Sequence, residues 1–173
     1  EKATYYGLIA HTMEWPEDRN WIKFYMRPEA KFSDGTPITA EDVVFSVNAL
    51  KTRTSSFFQQ AFDEIGRVEK LDDHTVIFHI KEGEINREFP LTAGGIDILP
   101  KHWWEDKEFT ETWMDIPLGS GPYVIKDFEA NRFVEWHYNP DYWGADLPVN
   151  KGMNNFLISR DEYYKDSTVM RTA

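Results

Sequence analysis

The stretch from Trp21 to Lys51 constrains the fold more than any other part of the chain, because strand chemistry passes there into helix chemistry through a turn. Trp21-Ile22-Lys23-Phe24-Tyr25-Met26 is rich in aromatic and β-preferring side chains and stops at Pro28. Ser33-Asp34-Gly35-Thr36-Pro37 then supplies both favoured turn formers. Thr39 can cap a helix, and Asp42, three residues on, completes a shortened capping box. Val43, Val44, Val47 and Leu50 recur at helical spacing and define an expected buried face, with Asp42, Asn48 and Lys51 outside it. The chain is therefore expected to mix α and β.

The flanking sequence extends that pattern. Tyr5 to Met26 reads as two extended segments around the polar turn Glu14 to Asn20. A second helix is expected over Phe57 to Asp63. Val68 to Leu71 and Thr75 to Ile80 form a hairpin about Asp72-Asp73-His74, with Val76, Phe78 and Ile80 on one face. A short helix is expected over Arg87 to Leu91, a buried strand over Ile96 to Leu99, and a helix over Phe109 to Met114. Tyr123 to Phe128 and Phe133 to Tyr138 make a second hairpin, in which Val134, Trp136 and Tyr138 form the more apolar face. Phe156 to Ser159 reads as another strand. A last helix capped at Asp166-Ser167 would run barely two turns, too short to stand alone, which points to truncation. Likewise the opening Glu1-Lys2-Ala3 has neither initiator Met nor signal peptide, so either processing or a chosen truncation is expected to have removed what came before.

Composition excludes several classes of partner. Nineteen basic residues against thirty acidic ones give a net charge of −11, a field that repels nucleic acid and anionic membrane surfaces. There is no cysteine, hence no disulfide framework and no thiolate metal site. No apolar run approaches the roughly 20 residues that a membrane-spanning helix needs.

Catalytic signatures are equally scarce. His11, His74, His79, His102 and His137 form no close metal-ligand spacing, so no metal and no cofactor is expected. Gly119-Ser120-Gly121 lacks the spacing of a nucleophile elbow. Neither it nor Gly94-Gly95 is a phosphate cradle; for both pairs a turn at positive φ is the plain alternative. Asp72-Asp73, Glu82-Glu84 and Asp141-Asp146 are the available carboxylate pairs. A carbohydrate-active hydrolase would need two such acids about 5–10 Å apart across an aromatic cleft. Solvated surface is the simpler reading, and the chain is not expected to be an enzyme.

Three stretches together resemble the extracellular solute-binding proteins of family 5, the receptors of oligopeptide and dipeptide ABC importers. They are Phe24 to Ser46, Gly119-Ser120-Gly121-Pro122-Tyr123-Val124-Ile125, and Asn139-Pro140-Asp141-Tyr142-Trp143-Gly144, with Leu71-Asp72-Asp73-His74-Thr75-Val76 lying between the first two. The Glu14 to Arg19 turn and the Asp146 to Gly152 stretch look most like a Gram-negative branch linked to oligopeptides and microcin C. The resemblance implies a partial periplasmic-binding-protein type II (cluster C) fold, first lobe only. Residues 1–100 would be a satellite subdomain and residues 101–173 part of the ligand-binding subdomain. It also implies a periplasmic receptor that captures peptides without covalent chemistry, closes about a hinge, and delivers them to permease subunits in the inner membrane. A nickel chelate, a sugar or a peptide-nucleotide antibiotic is the non-peptide alternative within the same fold. Carried onto this sequence, the resemblance places Phe45 near the cleft, where some relatives have tyrosine. It places Gly119, Ser120 and Gly121 near the domain junction, where small residues admit a ligand or a neighbouring strand. Core packing for Phe45 and a tight strand entry for the glycine segment are the competing readings. Trp103-Trp104 could be core or contact wall.

Overall fold

Alternation in Trp21–Met26 is what organises the first sheet. In the computed structural model, which describes residues 5–164, this strand (β2) buries Ile22, Phe24 and Met26 and leaves Trp21, Lys23 and Tyr25 half-exposed. It runs antiparallel between β1 (Ala10–Glu14) and β4 (Thr75–Ile80), and β3 (Ile65–Asp72) closes the other edge, giving the order β1-β2-β4-β3. Ile22 faces Phe78 and Phe24 faces Val76 across the ladder. The Phe24 and Phe78 rings meet edge to face at 5.6 Å. Ile65, Val76 and Phe78 complete the buried face, each worth about 1.5–3 kcal/mol on full burial. On the opposite face Lys23 lies between the rings of Trp21 and Tyr25, whose hydroxyl donates to Glu14.

The capped helix forms where the sequence places it, as α1 (Ala40–Thr52) with Thr39 at the N-cap. It lies against β3 and β4 and buries Ala40, Val43, Val47 and Ala49. Its buried face is not quite the expected one. Val44 and Leu50 are half-buried, whereas Asp42, expected outside, is buried together with Ser46. The reason is a second segment that the helical period cannot reveal. Residues 96–99, expected to form a strand, pair with no strand. Leu99 N–H donates to Ser46 Oγ (2.7 Å) and Lys101 N–H to Asp42 Oδ1 (3.0 Å), so side chains of α1 take the hydrogen bonds a sheet would have supplied.

The remaining helices are short: α2 (Ser56–Ala61), α3 (Phe89–Gly94) and α4 (Lys101–Trp104). α3 starts two residues later than expected, with Pro90 in its first turn, where a missing N–H costs nothing. The helix expected over Phe109 to Met114 is absent. That stretch is irregular, and the helical turn forms earlier, at α4. β3 begins three residues before the expected strand and includes Asp72, leaving a two-residue turn at Asp73-His74.

The chain divides into two compact units, Glu1–Ala30 with Thr36–Trp113, and Lys31–Gly35 with Met114–Ala173. All the elements above belong to the first. The second is built on the antiparallel sheet β5-β6-β7, with β5 (Tyr123–Glu129), β6 (Phe133–Tyr138) and β7 (Ile158–Glu162). Asn131 turns the β5–β6 hairpin at φ 61, a conformation asparagine tolerates better than most residues. In β6 the residue that is buried is Phe133, from the face expected to be less apolar; Val134, Trp136 and Tyr138 are half-buried. Arg160 of β7 lays its guanidinium 3.7 Å from the Phe133 ring centroid and covers it. β7 starts two residues after the expected strand and is exposed along its length. The helix expected after Asp166 lies outside the described residues. No helix among the described residues is long and apolar enough to cross a membrane.

Candidate functional site

Each of the stretches singled out in the sequence contributes to one cluster in the second unit. Backbone carbonyls along the Gly119–Pro122 segment are each taken by a different neighbour. Gly119 O accepts the Ser33 N–H (2.8 Å), from the turn that precedes α1. Ser120 O accepts the Trp143 indole N–H (3.2 Å), and Pro122 O accepts the Asn139 N–H (2.8 Å). The Asn139–Gly144 stretch is itself tied down. Tyr142 is buried, its ring meets Trp143 edge to face at 5.8 Å, and Asn150 Nδ2 donates both to Tyr142 Oη (3.2 Å) and to Gly144 O (2.7 Å). Tyr142 and Trp143 thus anchor the chain after the β5–β6 hairpin.

The glycines of that segment do not have the positive φ considered for them. Among the described residues positive-φ glycines are Gly35, Gly83 and Gly152, and Gly95 has φ −93°. A Cβ added at Gly119 or Gly121 would meet no atom within 4 Å. These positions therefore need glycine neither for backbone conformation nor for internal packing, and the backbone there presents an open side. Gly144 is the opposite case, since a Cβ would lie 2.7 Å from Tyr142 Oη.

Phe45 belongs to the other unit. It lies on α1, half-buried, next to the Asp42–Ser46 pair that secures residues 99–101. At the start of α1 a shallow depression of about 310 Å³ is lined by Pro37, Thr39, Glu41, Asp42, Lys101, His102 and Glu105. Three of its charges, Glu41, Asp42 and Lys101, are engaged within the chain. Glu41 pairs with Lys101, whose hydrogen bond and charge hold the Glu41 carboxyl below its ordinary value. Asp42 Oδ2 accepts both the N–H and the hydroxyl of Thr39.

The trace of Trp103-Trp104 is settled in part. Trp103 meets Trp104 edge to face (4.5 Å), and Trp104 stacks on Phe109 (4.8 Å), all half-buried. Sequence reasoning missed the cations woven into this array, Arg53 and Lys107, because neither spacing nor hydropathy links them to the rings.

Acid–base chemistry finds little purchase. His79 and His137 each sit beside a carboxylate, Glu69 at 3.0 Å and Glu135 at 2.8 Å. No group of three or more His, Cys, Asp or Glu that could hold a metal occurs among the described residues. Glu14, Glu41, Asp63, Asp72, Asp73 and Glu135 are all displaced downward, chiefly by hydrogen bonds from Tyr25, Lys101, Lys81, the His74 N–H, Lys70 and His137 respectively. A general acid needs a carboxyl displaced upward, the reverse of what the Asp72-Asp73 pair shows.

Comparison with known proteins fits this frame. The model of the bacterial extracellular solute-binding proteins, family 5 Middle, matches residues 4–165. The chain belongs to that family. It is 37% identical over 171 residues to the peptidoglycan-binding protein YepA of Agrobacterium fabrum, covering 98% of this chain and 28% of the relative. It is 34% identical over 176 residues to a protein of the same organism named Probable peptide-binding protein YejA, again over 98% of this chain and 28% of the relative. Among solved structures, NikZ of Campylobacter jejuni in complex with Ni(L-His) shares the fold with a TM-score of 0.78 at 22% identity. The match covers 95% of this chain and 32% of that one. The chain thus spans little more than a quarter of these curated relatives, as the fragment reading anticipated. The mixed α/β architecture is that of part of one lobe of a family 5 binding protein.

Proposed function

We propose that this chain is part of the substrate-binding component of an ABC importer that captures peptides in the periplasm and delivers them to membrane permease subunits. The observation that carries the reading is the cluster around Gly119–Gly121. Two sequence-distant stretches, at Ser33 and at Asn139–Trp143, take up this backbone's carbonyls, while a Cβ at either glycine would meet open space. A rigid, open backbone segment suits a ligand that is itself an extended chain and pairs through main-chain hydrogen bonds. The names of the two Agrobacterium relatives point to peptides and to peptidoglycan. In this reading Gly119, Ser120 and Gly121 are ligand contacts of the second unit, and Phe45 is a ligand contact of the first. Residues 1–100 act as the satellite subdomain and residues 101–173 as part of the ligand-binding one. The protein performs no covalent chemistry.

The exposed apolar run on the second unit supports a larger parent. Met153, Phe156, Leu157 and Ile158 are 63%, 75%, 76% and 54% exposed, more apolar surface than one short stretch of a finished protein leaves in water. The isolated 173 residues are accordingly expected to bind peptide weakly or not at all, and micromolar affinity would refute that. The nickel–histidine complex of NikZ supports a second reading, a non-peptide solute in the same fold.

Native mass spectrometry of the gently purified parent separates these. A ladder of co-purified peptide or muropeptide masses, displaced by added peptide, establishes the peptide reading. A bare protein that also ignores peptides in a thermal-shift screen overturns it in favour of the non-peptide one.

A further inference from the structure

Hydrogen bonds around β6 fix which way each neighbouring strand turns its backbone. Tyr138 N–H donates to Leu157 O and Tyr163 N–H to Arg132 O, so the even-numbered positions of β6 pair toward β7. Asn139 N–H donates to Pro122 O, so the odd-numbered ones pair toward β5. With Val124 opposite His137 in the same phase, the N–H and C=O groups of Gly121, Tyr123 and Ile125 turn to the other side of β5. That side is an edge of the sheet, and none of these groups has a partner among the described residues. The Tyr123 side chain leaves the edge clear, because its ring meets Tyr138 across the ladder and its hydroxyl donates to Phe156 O (2.9 Å). A bulge between Ile125 and Asp127 ends the regular stretch. Ahead of Gly121 the polarity changes. The carbonyls of Gly119 and Ser120 are taken by Ser33 and Trp143, whereas the N–H groups of Gly119 and Ser120 and the Ser120 hydroxyl have no partner among the described residues. Residues 116–125 carry no charged side chain.

We infer that a ligand peptide adds to this edge as an antiparallel strand, with its C-terminal carboxylate on the donors of Gly119 and Ser120. The inference rests on the peptide reading of the same site and names which end of the peptide that site takes. Gly121, Tyr123 and Ile125 each offer one donor and one acceptor, the pattern that an extended main chain completes. Gly119 and Ser120 offer three donors with both carbonyls engaged, so a group that only accepts suits them. A carboxylate is such a group, and a peptide carries one at its end. Because these donors precede the strand, the carboxylate lies at the N-terminal end of β5 and the peptide runs back along it. That fixes the antiparallel direction. Three outward positions, two residues apart, match about five residues of ligand.

These contacts are all main-chain on the ligand side, so pentaalanine carries every group they need. Calorimetry on the parent protein compares pentaalanine as the free acid with its C-terminal amide. The acid is expected to bind about tenfold more tightly. Ser120→Ala is expected to weaken the acid about fivefold and leave the amide unchanged, while Ser120→Thr, which keeps the hydroxyl, retains the preference. Methylating successive backbone nitrogens of pentaalanine should alternately abolish and spare binding, because only every second N–H faces β5. Acid and amide binding alike, a Ser120→Ala loss that falls equally on both, or methyl effects without alternation would each overturn the inference while the peptide reading stands. No binding of either form also overturns it, and the peptide reading is then decided by the masses that co-purify with the parent.

Discussion

Asp42 ties together two segments 59 residues apart, and its replacement gives the sharpest test of the fold. The carboxylate accepts from the Thr39 N–H and hydroxyl, both at 2.9 Å, and from the Lys101 N–H at 3.0 Å. Asp42→Ala removes the cap interaction of α1, a loss of about 0.5–2 kcal/mol. It also orphans the part-buried Lys101 N–H, at about 1–3 kcal/mol. The two contributions share one side chain and are not strictly additive, so a total of about 2–4 kcal/mol is expected. Asp42→Asn keeps one oxygen for Thr39 but turns an amide toward the Lys101 N–H, and should cost roughly half as much. Ser46 gives an independent handle on the same segment. Its hydroxyl donates to Asp42 O (2.6 Å) and accepts from Leu99 N–H, so Ser46→Ala is expected to cost about 1–3 kcal/mol. Because both side chains secure residues 99–101, the double variant should lose less than the sum of the singles. Urea unfolding followed by circular dichroism reads all four variants. A change below about 0.5 kcal/mol for Asp42→Ala, or strict additivity with Ser46→Ala, would show that residues 99–101 are held by something else.

Three further outcomes are expected. Gly119→Ala and Gly121→Ala should leave thermal stability of the chain within about 0.5 kcal/mol, since the new methyl meets open space, yet weaken ligand binding by the parent protein. Unchanged affinity by calorimetry would remove this segment from the site. Gly144→Ala should instead destabilise by about 1–3 kcal/mol, because its Cβ collides with the buried Tyr142, and a denaturation midpoint equal to wild type would contradict that packing. Acid should destabilise the chain. Six carboxyls carry lowered pKa values in the folded state, so the unfolded chain binds more protons. Their contribution is complete above the ordinary carboxylate range near pH 4 and is lost as pH falls through the lower folded values. Urea midpoints that hold constant from about pH 5 to 3 would refute this.

How much of this was legible without coordinates differs by element. Local chemistry sufficed for the hairpins and for α1, because alternation, turn residues and a capping pair act over a few residues. It sufficed as well for the motif stretches that identify the family. It failed at 96–99, where an apolar run looks like any buried strand. Whether such a run pairs with a strand or with side chains depends on what lies opposite, here Ser46 and Asp42 of α1. The same contact buried Asp42 against the helical period. Phe133 was misjudged for a related reason: a face rich in aromatics is a candidate for burial, but Arg160, delivered by a strand 25 residues on, covered the other one. Of the candidate site, the sequence offered Gly119–Gly121, and the structure added why that segment holds its shape. Which side of β5 stays open was invisible in the sequence. The sequence determined the family and the local elements through short-range preferences, whereas tertiary structure alone decided which polar groups meet across the chain, because those meetings depend on distances that no local pattern encodes.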